Sequence, residues 1–144
     1  MGARYDAATN QMVRSDPNQS QNLRTRVTVA QLNAGITLLP AVPGFKYRLI
    51  DAKFIAVGGA ATTGTSVALK GTRAAGAVNL VVVAIAALTQ SARVKAGETN
   101  AVILADGASF TQLDVNTPIT VITVGSPMTV LTNLDVDLTY ALEE

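Results

Sequence analysis

Leu134, Asp135, Val136, Asp137, Leu138, Thr139, Tyr140, Ala141 and Leu142 alternate more cleanly than any other stretch of the chain. The even positions are all apolar, and the odd ones are aspartate, threonine or alanine. A period of two sends one set of side chains into a core and the other into water, as in a strand of an antiparallel sheet. Nine residues at roughly 3.3 Å each cross about 30 Å, the span of a whole sheet. The stretch therefore predicts a long strand, anchored in the fold and wet on one face.

Working back from it, the same grammar recurs. Residues 46–57 form a second long strand whose alternation slips. Tyr47 and Leu49 share one parity, while Ile50, Ala52, Phe54 and Ala56 share the other. A phase change of this kind is the signature of a β-bulge, or of a strand covered on both faces. Residues 66–70 alternate again, with Val67 and Leu69 inward. Residues 80–88 are apolar throughout, and Val81, Val82 and Val83 favour strand over helix because β-branching suits the pleat. Shorter candidates lie at 36–39, 93–95, 101–104 and 119–124. Residues 27–33 read as a short strand or a single helical turn. Gly58 to Ser66 and residues 71–78 are loops of small residues, the first expected to be a flexible hairpin connection, and Gly/Pro turns divide the remainder. About eight strands with no long helix predict an all-β fold: a jelly-roll-like antiparallel β-sandwich spanning residues 27–144.

Residues 1–26 differ from the rest. Asn10, Gln11, Asn18, Gln19, Gln21 and Asn22 crowd a segment that also holds Arg4, Arg14, Arg24 and Arg26. It carries no hydrophobic period, so it is read as an extended N-terminal arm, either a loose tail or a segment that orders against a partner. Arginine forks suit bidentate contacts with carboxylates.

Composition narrows the chemistry. Of 144 residues, 15% are charged, against an ordinary level near 25%. Too little charge to dress a free surface favours a homo-oligomer. Cysteine and histidine are both absent, which removes disulfides and the commonest general base and metal ligand. The first twenty residues lack the apolar core of a signal peptide, and no apolar run approaches the ~20 residues of a membrane helix. A soluble, unexported chain, or one that leaves its cell by lysis, is expected.

The net charge of +1 conceals an asymmetry. Residues 46–95 hold seven bases and one acid, whereas residues 96–144 hold seven acids and no base. Opposed potentials of this kind steer subunits together, or pair neighbouring strands within one molecule. Val81, Val83, Ile85, Arg93, Lys95, Asp135 and Asp137 are the subunit-interface candidates.

Other chemistry falls away on inspection. Gly59 to Ser66 has the spacing of a phosphate loop, but Thr65 stands where lysine belongs, and a strand pattern follows rather than a helix. Asp135 and Asp137 offer too few oxygens for calcium and read better as charges guarding a strand. As a carboxylate pair for glycoside hydrolysis they lack an aromatic-lined cleft, since the chain has no tryptophan. Dispersed bases without interleaved aromatics argue against a nucleic-acid platform. No catalytic residue, metal or cofactor is expected.

Residues 27–35 (VTVAQLNAG), residues 39–51 (LPAVPGFKYRLID), the loop from Gly58 to Ser66 and the closing Val136-Asp-Leu-Thr-Tyr140 resemble small structural proteins of tailed bacteriophages. Within that group they resemble capsid decoration, or cement, proteins of the jelly-roll type. The resemblance implies a non-enzymatic trimer on the outer capsid surface of the virion. It would tie major capsid protein subunits together against DNA pressure, with no nucleic-acid or membrane partner. Arg4, Arg14, Arg24 and Arg26 become candidates for capsid contact. The alternative is a receptor- or glycan-binding knob or base domain on a head fibre or other virion appendage.

Overall fold

The computed structural model describes residues 3–6, 11–14 and 20–144. Eleven strands are present: β1 (Ala3–Asp6), β2 (Gln11–Arg14), β3 (Ser20–Thr28), β4 (Ile36–Leu39), β5 (Lys46–Val57), β6 (Ser66–Arg73), β7 (Gly76–Ala84), β8 (Arg93–Lys95), β9 (Ala101–Ile103), β10 (Ile119–Val124) and β11 (Asn133–Glu143). β1 and β2 pair with each other as a small antiparallel sheet. The other nine form two antiparallel sheets, ordered β3-β11-β5-β8 and β4-β10-β6-β7-β9.

β9 is a three-residue edge strand. Set it aside, and the remaining eight run first, eighth, third, sixth in one sheet and second, seventh, fourth, fifth in the other. That is jelly-roll order. Its logic is one long ribbon folded over: β3 lies against β11, β4 against β10, β5 against β8 and β6 against β7. The all-β sandwich expected from the alternation is the fold.

The two inner faces meet in a dry core. Leu49, Phe54, Leu134, Val136 and Leu138 from the four-stranded sheet face Val67, Leu69, Val81, Val83, Ile119 and Val121 from the five-stranded one. β5 bulges where its alternation slips. Leu49 pairs with Tyr140 and Asp51 with Thr139, so Ile50 has no mate across the ladder and turns outward. A second bulge, between Leu69 and Lys70 of β6, leaves Leu80 unpaired in β7. Consecutive Leu80 and Val81 are thereby both buried, which explains the density of that run.

Five expectations need correction. Residues 71–78, read as a loop, are the paired ends of β6 and β7, with only Ala74 and Ala75 between the strands. Residues 20–26, assigned to the arm, belong to β3, which pairs along its length with β11. Residues 1–2, 7–10 and 15–19 of that arm lie outside the described residues. Residues 80–88 are not one strand, because β7 stops at Ala84 and a 3-10 turn covers Ile85–Ala87. Val81 and Val83 are fully buried within the subunit and are not available to an interface. The loop from Gly58 to Ser66 is no hairpin, since it carries the chain from one sheet to the other and packs on the β10–β11 connection. A Cβ on Gly64, at φ +73°, would sit 2.7 Å from the Ser126 carbonyl, so the loop's small residues answer to close packing.

The ambiguous residues 27–33 divide between the end of β3 and α1 (Val29–Ala34). Thr28 caps the helix: its hydroxyl accepts from the Gln31 amide at 3.2 Å, and the Gln31 side chain accepts from the Thr28 amide at 3.0 Å.

Candidate functional site

Strand order brings most of the sequence-level candidates onto one surface, the outer face of the four-stranded sheet. Register fixes two rows across it. Arg26 on β3 opposes Asp135 on β11, which opposes Ile55 on β5, which opposes Arg93 on β8. In the next row Arg24 opposes Asp137, then Lys53, then Lys95. Six of the residues singled out from sequence (Arg24, Arg26, Arg93, Lys95, Asp135 and Asp137) thus share a face.

Within it the acids are already engaged. Arg26 grips Asp135 with two parallel bonds, Nε to Oδ1 at 2.7 Å and Nη2 to Oδ2 at 3.0 Å. Asp137 accepts from Asn22 Nδ2 at 2.7 Å and from Arg24 Nη2 at 3.3 Å. The Arg26 hydrogen bond, aided by the charges of Arg26 and Arg24, outweighs partial burial and holds the Asp135 carboxyl below its ordinary range. Asp137 is lowered first by the Asn22 hydrogen bond, then by Arg24 and the nearby charge of Lys53. Reciprocally, the Asp135 hydrogen bond raises Arg26. These aspartates serve as strand-to-strand fasteners. Among the described residues no three carboxylates converge on a metal-sized space.

In these rows the cations of β5 and β8 are less fully matched. Lys95 reaches Asp51 only at 3.9 Å. Among the described residues Lys53 and Arg93 have no carboxylate within ion-pair distance. Ile55 stands opposite Arg93 and two residues along β5 from Lys53, and the three line an open depression of about 240 Å³ together with Arg24, Asp135 and Asp137.

At the far end of the same face, Arg48 Nε and Gln112 Nε2 both donate to the Glu143 carboxylate. Burial pushes that carboxyl up, but the two hydrogen bonds and the charges of Arg48 and Lys46 more than reverse it, leaving it lowered. This clasp joins β11, β5 and the segment after the second 3-10 turn (Ala105–Phe110). Arg48–Glu143 shows that the charge asymmetry along the chain is spent partly on pairing inside the molecule.

The opposite surface is apolar. On the outer face of the five-stranded sheet Val102, Val82, Ala68 and Ile122 stand in one row across β9, β7, β6 and β10. Val102 is 60% exposed. Lys70 is the charged neighbour along β6.

Not every candidate joins the charged face. Ile85 is half-buried in the 3-10 turn and packs on the core. Arg4 and Arg14 lie on β1 and β2, where Arg4 is in register with Val13 and Arg14 with Ala3. Sequence reasoning passed over Lys53, Ile55, Asn22 and Gln112 as site residues. Lys53 and Ile55 share a parity within β5, a signal present in the chain, but their meeting with Arg93 depends on the pairing of β5 with β8. No helix is long and apolar enough to cross a membrane among the described residues. No protein-family model, curated protein or solved structure matches the chain.

Proposed function

We propose that this chain is a non-enzymatic virion structural protein that decorates the outer capsid and cements neighbouring capsomers, acting as a homotrimer. The observation that carries the reading is the contrast between the two outer sheet faces. One presents ordered, alternating charge and the other an apolar row exposed chiefly at Val102, on a jelly-roll sandwich of the kind the resemblance implies. A surface set with fixed charges suits docking on a protein lattice, where many modest contacts sum across many copies. The apolar row through Val82 and Val102 suits contact between subunits. It replaces Val81 and Val83, which are used up in the core.

Capsid contact through arginine needs restating as well. Arg24 and Arg26 have their forks on Asp137 and Asp135, so within this reading they shape the docking face more than they reach across it. Arg4 and Arg14 remain candidates on the β1–β2 hairpin. The receptor- or glycan-binding knob calls for rings on an open surface. Among the described side chains Tyr47 and Phe54 are buried, Tyr140 packs edge-on against Tyr47 at 5.6 Å between centroids, and Phe45 and Phe110 are half-buried, so none of these rings stands fully open.

Co-sedimentation tests the proposal. Purified protein is expected to pellet with expanded heads stripped of their decoration, to leave host cells unlabelled, and to scatter light as three times the chain mass. Binding to cells without binding to heads would overturn it.

A further inference from the structure

We infer that the depression between β11, β5 and β8 is a docking site for an acidic protein segment, one that sets a carboxylate between Lys53 and Arg93 and an aliphatic neighbour on Ile55. This rests on the decoration reading for who the partner is, but not for the chemistry of the site.

The argument begins with a local rule that the sequence breaks. Lys53 and Lys95 stand directly opposite each other across β5 and β8. Like charges in that position repel and weaken a sheet. Arg93 lies two pairs further on the same short strand, on the same face and opposite Ile55. Three cations therefore cluster on β5 and the edge strand β8. The nearby acids quiet them only in part: Asp135 is gripped by Arg26, Asp137 faces Lys53 across the ladder but gives its hydrogen bonds to Asn22 and Arg24, and Asp51 reaches Lys95 only at 3.9 Å. Charges alone would guard a sheet edge against aggregation. Guarding does not require an isoleucine beside them in the wall of a depression of about 240 Å³. Two cations next to an apolar side chain match a carboxylate carried on an aliphatic stem.

The same layout selects against nucleic acid. A duplex carries roughly one negative charge per 1.7 Å of its axis. Laid across this face, it would set phosphates against Asp51, Asp135 and Asp137 as well as against the bases. A protein segment places its carboxylates singly, so one can lie toward Arg93 on the β8 side of the depression, away from Asp135 and Asp137 on the β11 side. Charge complementarity thus favours an acidic peptide over a polyanion.

The experiment titrates the isotope-labelled full chain with the peptide Glu-Leu-Glu-Leu-Glu at low salt and follows backbone amide signals. Expected are shifts centred on Lys53, Ile55 and Arg93, weakening with added salt. The double variant Lys53→Gln/Arg93→Gln is expected to bind roughly tenfold less tightly. Lys70→Gln, on the opposite sheet, is the control and is expected to bind unchanged. Thermal unfolding of the double variant is expected to stay cooperative, so that its lost peptide binding reports the site and not the scaffold. Shifts scattered over all basic residues, unimpaired binding by the double variant, or tighter binding of a DNA duplex of equal charge would each overturn the site. Sedimentation with stripped heads keeps the two readings apart. Peptide binding without head binding removes the capsid as partner and leaves the site standing. Head binding undiminished in the double variant does the reverse.

Discussion

Ala74 and Ala75 join β6 to β7 with φ of 51° and 62°, the two-residue hairpin geometry that asparagine and glycine ordinarily supply. For alanine, each left-handed residue costs roughly 1–2 kcal/mol. Asp114 offsets the strain, its two oxygens accepting from the Ala74 amide at 3.0 Å and the Ala75 amide at 2.8 Å. Replacing the pair by Asn-Gly is therefore expected to raise stability by about 1–2 kcal/mol in urea unfolding. Asp114→Ala is expected to lower it by a similar ~1–2 kcal/mol, because two turn amides lose a charged acceptor. Glu143 is the other residue with a measurable signature. Its folded carboxyl is held below the ordinary 4.5, so its contribution is complete above that value and fades as pH falls through the lowered one. Asp135 and Asp137, also lowered, act in the same direction from 3.8 downward. Thermal midpoints recorded below pH 4.5 should fall less steeply for Glu143→Gln than for the parent.

At the level of elements, what was legible depended on whether local pattern or distant pairing decided the outcome. The alternation of β11 and the bulge of β5 are written in the order of apolar residues, so both could be read directly. Thr28 and Gln31 stand at capping-box spacing, a local signal that resolves the short stretch left open between strand and helical turn. β3 escaped notice for a physical reason. It is an edge strand whose inward positions are Gln21, Leu23, Thr25 and Val27, and of these only Val27 is fully buried. Its marker is charge: Arg24 and Arg26, two apart, mirror Asp135 and Asp137, two apart, as an antiparallel register requires. The consequence can be measured by truncation. Removal of residues 1–19 should leave cooperative unfolding intact. Removal of residues 1–26 should cost more than about 3 kcal/mol, since several ladder hydrogen bonds at ~0.5–1.5 kcal/mol each disappear along with the cover over one edge of β11. Equal midpoints for the two truncations in thermal denaturation would contradict this assignment.

For the molecule as a whole, class and layering could be read from the chain, whereas the site could not be assembled from it. Lys53, Ile55 and Arg93 are separated by up to 40 positions and meet only because β5 lies beside both β11 and β8. Pairing of that kind is a property of topology, which periodicity does not encode. The same holds for the apolar outer row, where Val82 points away from the core while its neighbours Val81 and Val83 point into it. If that row joins subunits, Val102→Glu should reduce the mass seen by light scattering to that of a single chain. Its thermal midpoint as a separated subunit should stay within about 0.5 kcal/mol of equivalent stability, because the side chain is 60% exposed.

The position of β11, between β3 and β5, governs the order in which the protein can be made. During synthesis β3 and β5 emerge from the ribosome long before the strand that must slot between them. Until Asn133–Glu143 is available, the four-stranded sheet is two unmatched pieces with open inner edges. The nascent chain must therefore wait, and a chaperone that shields sheet edges has its moment of use in that interval.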